Sequence, residues 1–337
     1  MNINFLFLII IIILNLFFVI NFEKIKLFHL NIDKPDLKRK LHKKSMPLAG
    51  GMIIFFNLLC TLIYINFTQS SLLNEIYFEN QIDSILFLIS CSLIFLTGFV
   101  DDKLNLSPTL KLSLVSIIIL GLLILDDNLN IKVIEFSFLN KTINLSNYSI
   151  FFTCFCFIVF INAFNMFDGI NLQSSSYSLI VFFCILIFYS DTLLVRVLII
   201  SLIAYSYLNF KNKSFLGDSG SLLISFMFGY IFIKLYNFKF INFTDEVVIY
   251  MLIPGIDLIR VFFKRIKMRK SPLNPDRLHL HHMLLERFSY SLTIIIMIGM
   301  ILLPIILNYL NFNKIYIFFF TIFIYYCFLI IPNLKKN

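Results

Sequence analysis

Charge is what this chain has least of. Only 14% of its 337 residues are Asp, Glu, Lys or Arg, against 59% hydrophobic, whereas a soluble domain carries roughly 25% charged residues. The shortage excludes a string of soluble domains. Low-complexity linkers are also missing, so residues 1–337 read as a single domain. No internal repeat stands out, and there is no pair of interrupted helices of the kind that marks many transporters. Cysteine is sparse: all six fall in apolar segments, and only Cys154 and Cys156 come close, as a lone Cys-x-Cys. That pattern suits packing inside a bilayer and not a thiolate metal centre. Tryptophan is absent while Phe, Ile, Asn and Lys are abundant, a bias of AT-rich coding that carries no mechanistic message. The first apolar run, Phe5–Ile20, has no basic residue ahead of its core and no small-residue cleavage site behind it. It reads as a permanent first helix and not as a cleaved signal.

In place of charge there are long apolar runs. A run of about 18 or more such residues crosses a bilayer as a helix, and helices close their own backbone hydrogen bonds there. Spans are expected near 3–22, 47–67, 84–100, 112–125, 148–164, 177–189, 193–210, 221–237, 247–262, 292–310 and 315–332. The fold class is therefore all-α, a polytopic transmembrane bundle of ten or eleven helices. Alternate connections put 21 of the 28 Lys and Arg residues on one side and four (Lys132, Lys141, Lys239, Lys314) on the other. Basic excess marks the cytoplasmic side, which predicts an outside N-terminus and a cytoplasmic C-terminus in a bacterial inner membrane. The net charge of +9 then reports orientation, and nucleic acid is not an expected partner.

Five polar clusters fall on that basic side. The first runs from Asp33-Lys34-Pro35 through a basic stretch to Lys44 and Pro47-Leu48-Ala49-Gly50-Gly51. Its bases suit anionic headgroups, while a glycine pair at a helix mouth lets backbone approach a ligand such as phosphate. The second, Asp101-Asp102-Lys103 to Lys111, puts two carboxylates at the end of an apolar helix. They are either a solvated helix end or a place for a cation or a proton. The dipeptide Asp126-Asp127 on the opposite side lacks such company and is expected to be solvated, with Asp126→Ala close to silent. The third places Asn162, Asn165 and Asp168 three residues apart, near one helical face. Their oxygens suit Mg²⁺ or a hydroxyl-rich ligand, or the two amides bond neighbouring helices. In the fourth, Phe215-Leu216-Gly217-Asp218-Ser219-Gly220, an aspartate stands between glycines before an apolar helix, as an N-cap or as a carboxylate given space. The fifth carries Asp276-Arg277-Leu278-His279-Leu280-His281-His282 after the basic run 264–270. Nothing completes a zinc set. His279 and His282 are expected on one helical face, as phosphate donors beside Arg277.

In this order, from Asp33 to about Arg287, the five clusters resemble the polyprenyl-phosphate N-acetylhexosamine-1-phosphate transferase family, nearest its WecA/TagO-like branch. The resemblance implies a Mg²⁺-dependent enzyme (Mn²⁺ in its place) with an active site at the cytoplasmic face. It would move HexNAc-1-phosphate, GlcNAc-1-phosphate first among the candidates, from a UDP-sugar to undecaprenyl phosphate and release UMP. Such products start cell-surface glycans, lipopolysaccharide O-antigen or teichoic acid among them. The partners implied are the two substrates and the bilayer, with a homodimer admitted. Carried over by motif, Asp101, Asp102 and Asp168 would be catalytic. Asn165 and Asp218 would hold the metal. Phe215 would stack on uracil, and Lys44, Lys111, Asn162, Asn171, Arg277, His279, His281 and His282 would bind substrate. The chain departs from the family where Asp168-Gly169-Ile170 is followed by Asn171-Leu172 in place of Asp-Gly, which bears on donor specificity and rate. The rival classes are an anionic-solute transporter, for which Asp257 and Lys234 are the ionisable candidates, and a catalytically impaired relative acting as a binding partner.

Overall fold

The computed structural model describes residues 3–25, 31–35, 44–68, 76–139, 141–272 and 276–331. The basic stretch 37–43 and the terminal Lys335 and Lys336 lie outside these. In chain order the helices are α1 (Ile3–Ile20), α2 (Phe22–Ile25), α3 (Gly50–Thr68), α4 (Gln81–Leu104), α5 (Pro108–Leu125), α6 (Ser149–Phe167), α7 (Gln173–Phe188), α8 (Leu193–Phe210), α9 (Gly217–Asn237), α10 (Thr244–Lys267), α11 (Leu280–Arg287), α12 (Tyr290–Tyr309) and α13 (Lys314–Ile330). Eleven of these have 16–24 residues and coincide with the expected spans; only α2 and α11 are short. Seven meet a strict test of length and apolarity, while α1, α7 and α13 are shorter apolar helices. Helix α10 carries its charges at both ends and at Asp257 and Arg260 in between. The chain is an all-α polytopic membrane protein.

Helix α9 is the hub. Its apolar stretch is wholly buried, and α3, α4 and α6 pack around it. A helix that is apolar on every side belongs in such a centre. With no water to drive association, helices in a bilayer rely on close backbone approach over small residues. Here a Cβ on Gly98 of α4 would stand 2.4 Å from Ser219 Cα, and one on Gly51 of α3 would stand 2.5 Å from Gly220 N. The Gly50-Gly51 pair therefore admits the backbone of α9, where a ligand had been expected.

The two ends of the bundle differ. At the basic end, β1 (Ile32–Asp33) pairs antiparallel with β2 (Met46–Pro47). The chain at Leu48 then runs parallel to Phe215, with Phe215 N–H donating to Pro47 O (3.0 Å) and Gly50 N–H to Phe215 O (3.1 Å). The opposite end carries a hairpin, β3 (Val133–Glu135) with β4 (Thr142–Asn144). Asp126 also lies there, and it is not solvated. Its carboxylate meets Lys234 Nζ at 2.9 and 2.8 Å, with side-chain exposures of 2% and 0%. The ammonium also lies over the Tyr230 and Phe238 rings, 5.6 and 5.5 Å from their centroids. The expectation of a solvated Asp126 is overturned: of the pair only Asp127 is exposed. The pairing also removes Lys234 as a mobile charge for a transporter.

Candidate active site

Helix α4 carries Asp101 and Asp102 in its last turn and stops at Asn105, whose left-handed backbone (φ 50°) returns its N–H to Asp101 O at 2.8 Å. Ser107 caps α5, with Pro108 in its first turn, and this quick restart brings Lys111 back over the carboxylates. Lys111 Nζ stands 2.7 Å from Asp101 Oδ2 and 3.5 Å from Asp218 Oδ1. The second oxygen of Asp101 accepts from Leu106 N–H at 2.8 Å.

Asp102 does something different. Its Oδ1 accepts from Asp218 N–H (2.7 Å), and its Oδ2 accepts from Ser219 N–H (3.1 Å) and the Ser219 hydroxyl (2.8 Å). These are first-turn donors of α9, for which Leu216 at the N-cap position provides no side chain. A carboxylate at a helix N-terminus satisfies open N–H groups and meets the positive end of the dipole. Asp102 thus caps α9 from another helix. Gly217, at φ 78°, has room for no Cβ, which would approach Asp102 Oδ2 to 2.7 Å. With its helix capped from outside, Asp218 is released from that duty. Its side chain is 35% exposed and accepts from the Asn165 amide, which also donates to Ser221 Oγ at 2.7 Å. Asn162, one turn back on α6, is half-buried.

Helix α6 ends at Phe167, and Asp168 accepts a short hydrogen bond from the Ser174 hydroxyl. Burial pushes its carboxyl up to about 7, with the charge of Asp218 adding to the effect and Ser174 opposing it. At Gly169 a Cβ would stand 2.0 Å from His281 Nε2, so the absence of a side chain is what lets the third and fifth clusters meet. Asn171 turns elsewhere. Its amide donates to Asn212 Oδ1 (2.6 Å) and Asn209 O (3.2 Å), and Asn209 Nδ2 donates back at 3.3 Å. Leu172 N–H donates to Asn209 Oδ1 at 2.6 Å, and Tyr290 O–H to Asn171 O at 2.6 Å. The residue carried over as a substrate contact is here a clasp between two turns. Leu172 takes φ 65°, a left-handed conformation that glycine adopts freely.

The fifth cluster is an arm braced by α10. Arg265 grips Asp276 at 2.8 and 3.2 Å. Burial is the largest influence and works against that carboxylate, but the Arg265 hydrogen bonds, the Leu278 N–H and the charge of Arg265 together hold Asp276 below its ordinary range. His279 precedes α11 in extended backbone, so the expected shared face with His282 does not form. Its ring lies parallel to that of His281, with centroids 5.8 Å apart. His279 Nδ1 meets Asp257 Oδ2 at 2.6 Å, and its Nε2 meets Arg265 Nη2 at 3.3 Å. His281 is buried, with Nδ1 3.4 Å from Gln173 Nε2. Its Nε2 has no hydrogen-bond partner among the described residues. Burial, then the neighbouring charge of His282, holds His281 well below the usual imidazole range. Burial, with His279 and Arg277 nearby, lowers His282 to about 4. Arg277 and Lys44 are exposed, and Phe215 is half-buried.

The structure therefore gathers Asp101, Asp102, Lys111, Asn165 and Asp218 into one cluster, sets Asp168 beside it, and joins His281 through Gly169. It turns Asn171 and His279 to internal bonds. Ser219, Ser174, Asp257, Arg260, Arg265 and Tyr325 were not expected. Of these Asp257 and Arg260, ionisable residues within the expected span 247–262, carried a sequence signal.

No group of three His, Cys, Asp or Glu side chains among the described residues is placed to enclose a metal ion. Mg²⁺ does not need one, because it keeps several waters and binds through one or two carboxylates plus substrate phosphates. Asp218, part-open and facing the carboxylate of Asp101 across Lys111, fits that mode. The Asn165 amide orients it.

A membrane-embedded bundle with its carboxylate, amide and ammonium groups gathered at one basic end has the architecture of an integral membrane transferase. The family described as glycosyl transferase family 4 matches residues 84–236, within α4 to α9, and over that stretch the chain is similar to that family. Its relatives include the undecaprenyl-phosphate α-N-acetylglucosaminyl 1-phosphate transferases of Salmonella typhi, 27% identical over 267 residues, and of Escherichia coli K12, 25% identical, each covering 76% of this chain and 69% of the relative. The Haemophilus influenzae protein of the same name is 28% identical over 273 residues, covering 76% of this chain and 72% of its own.

Proposed function

We propose that this chain transfers GlcNAc-1-phosphate from UDP-GlcNAc to undecaprenyl phosphate, releasing UMP and forming the lipid diphosphate sugar that starts a cell-surface glycan. The observation that carries the reading is the cluster of Asp101, Lys111, Asn165 and Asp218 at the basic end. An oxygen of the lipid phosphate attacks the β-phosphorus of the UDP-sugar, the bond from that phosphorus to the UMP oxygen breaks, and UMP leaves with the electron pair. Both reactants are anionic, so the work of the site is to neutralise charge and align the pair.

Lys111 supplies a fixed positive charge 3.5 Å from Asp218. Asp218, oriented by Asn165, would hold Mg²⁺, which when bound shields the diphosphate. Asp101 is the carboxylate nearest to Lys111 and suits activation of the lipid phosphate. Asp168, with its carboxyl raised by burial, suits proton exchange near neutrality. Arg277 and the part-exposed His282 suit the role of donors to phosphate, with His281 buried behind them against Gly169; Lys44 adds a surface charge, and Phe215 offers a ring to uracil. The basic end would face the cytoplasm of a bacterial inner membrane, where UDP-sugars are made. Asn171 and Leu172, the departure from the family pattern, are bonded to Asn209, Asn212 and Tyr290 and not to the Asp218 cluster. This favours an active enzyme over an impaired one.

The test is direct: detergent-purified protein is mixed with Mg²⁺, undecaprenyl phosphate and a panel of UDP-sugars. UMP and a lipid-linked product are expected with UDP-GlcNAc and are lost with EDTA. No UMP from any UDP-sugar, by protein that is folded and binds UMP, overturns the reading.

A further inference from the structure

Asp257 lies in α10, 3% exposed, and takes no direct part in the cluster around Asp218. Its Oδ2 meets His279 Nδ1 at 2.6 Å, while Oδ1 accepts from the Tyr325 hydroxyl (2.5 Å), Arg260 Nη2 (2.8 Å) and the backbone N–H of Leu280 (3.1 Å). Arg260 Nη2 donates also to Leu278 O at 2.6 Å, and its Nε donates to the Tyr325 oxygen at 2.6 Å. On the other flank Arg265, 1% exposed, meets His279 Nε2. A guanidinium has only donors, so Nε2 accepts and the ring proton on Nδ1 goes to Asp257. Both nitrogens of His279 are thus consumed, and the ring has none left for a ligand.

A carboxylate and two guanidinium groups inside an apolar bundle are costly to desolvate, and apolar residues would fill the same volume at least as well. What this hub grips is three consecutive residues, Leu278, His279 and Leu280. They are the root of the arm that carries Arg277, His281 and His282. The tip of the arm is buried against Gly169, and His281 Nε2 there lacks a hydrogen-bond partner among the described residues. Tyr325 comes from α13, which also receives Arg287 Nη1 on Phe328 O at 2.6 Å. The arm is therefore fixed at both ends by the last helix as well as by α10.

We propose that Asp257 and Tyr325 are positioning residues that lock the histidine arm against the Asp168-Gly169 turn, which makes α13 a working part of the site. The consequence for turnover rests on the transferase reading, but the locking itself does not. The test uses full-length protein in detergent, as wild type, Asp257→Asn and Tyr325→Phe. Tyr325→Phe removes a single oxygen and serves if Asp257→Asn fails to fold. Diethylpyrocarbonate labelling followed by peptide mass spectrometry reads the exposure of His281 without reference to activity. Losing one of these buried bonds should raise the fraction of open arm, and so the labelling rate at His281, about tenfold. In Tyr325→Phe the KM for the UDP-sugar rises in parallel, while the KM for the lipid phosphate and the thermal midpoint hold; Asp257→Asn, which leaves buried guanidinium charge unpaired, also melts lower. Unchanged His281 labelling in both variants overturns the proposal, as does a matching rise at tyrosines and lysines throughout the chain, which marks general loosening. Faster His281 labelling in protein whose wild type releases no UMP supports the lock and removes the transferase reading instead.

Discussion

At the scale of single residues, Asp101 and Asp102 point about 100° apart because they are consecutive on a helix. One turns to Lys111 and the other to the first turn of α9. Their substitutions should separate. Asp218→Ala removes the part-open carboxylate and leaves the cap intact, so UMP release should fall about a hundredfold or more at an unchanged thermal midpoint. Asp102→Ala leaves three donors of α9 open and should lower both activity and stability, the latter by about 1–2 kcal/mol. Thermal melts of purified variants beside a UMP-release assay check both. Asp168 adds a pH dependence. Its carboxyl sits near 7 through burial, above its ordinary 3.8, so the folded protein holds this proton more tightly than the unfolded chain does. Its contribution to stability is complete below about pH 4 and is lost as pH rises through 7. Asp168→Asn should therefore melt above wild type by a margin that grows from pH 4 to 7 and then levels off, read by thermal shift across that range.

At the scale of elements, two strained or costly features ask for compensation. Leu172 sits at φ 65°, where a residue with a Cβ loses about 1–2 kcal/mol, and the Asn209 acceptor offsets part of this. Leu172→Gly should raise the thermal midpoint by a degree or two while leaving turnover near wild type. Asp126 and Lys234 tie the end of α5 to α9. Asp126→Ala strands a buried ammonium and should cost about 3–5 kcal/mol, whereas the double variant Asp126→Ala/Lys234→Met should recover most of it, by thermal melts in detergent. The helices themselves were legible in the sequence because each is a long apolar run, and the clusters were legible because polar residues are conspicuous among such runs. Their partners were not. Asp102 caps a residue 116 positions on, Asp126 pairs across 108 and Tyr325 reaches Asp257 across 68. No periodicity within one helix announces contacts of that separation. The glycines misled for the same reason: Gly51 faces Gly220, which only the assembled bundle reveals.

At the scale of the whole molecule, all five clusters gather at one end of the bundle, joined by Asp102 to Asp218, Gly169 to His281 and Phe215 to Pro47. Single cysteines placed at Lys103 and Arg277, in a background without the native cysteines, should label from the same side of sealed vesicles, and one at Lys141 from the other. The order of the helices has a further result. Tyr325 reaches back from the last of them to the root of the histidine arm, so a nascent chain can insert ten helices and assemble the acidic cluster while the arm is still unlatched. On that proposal the arm is latched only when translation has delivered α13 to the bilayer, and premature stops short of it leave an acidic cluster with a weakened hold on the UDP-sugar.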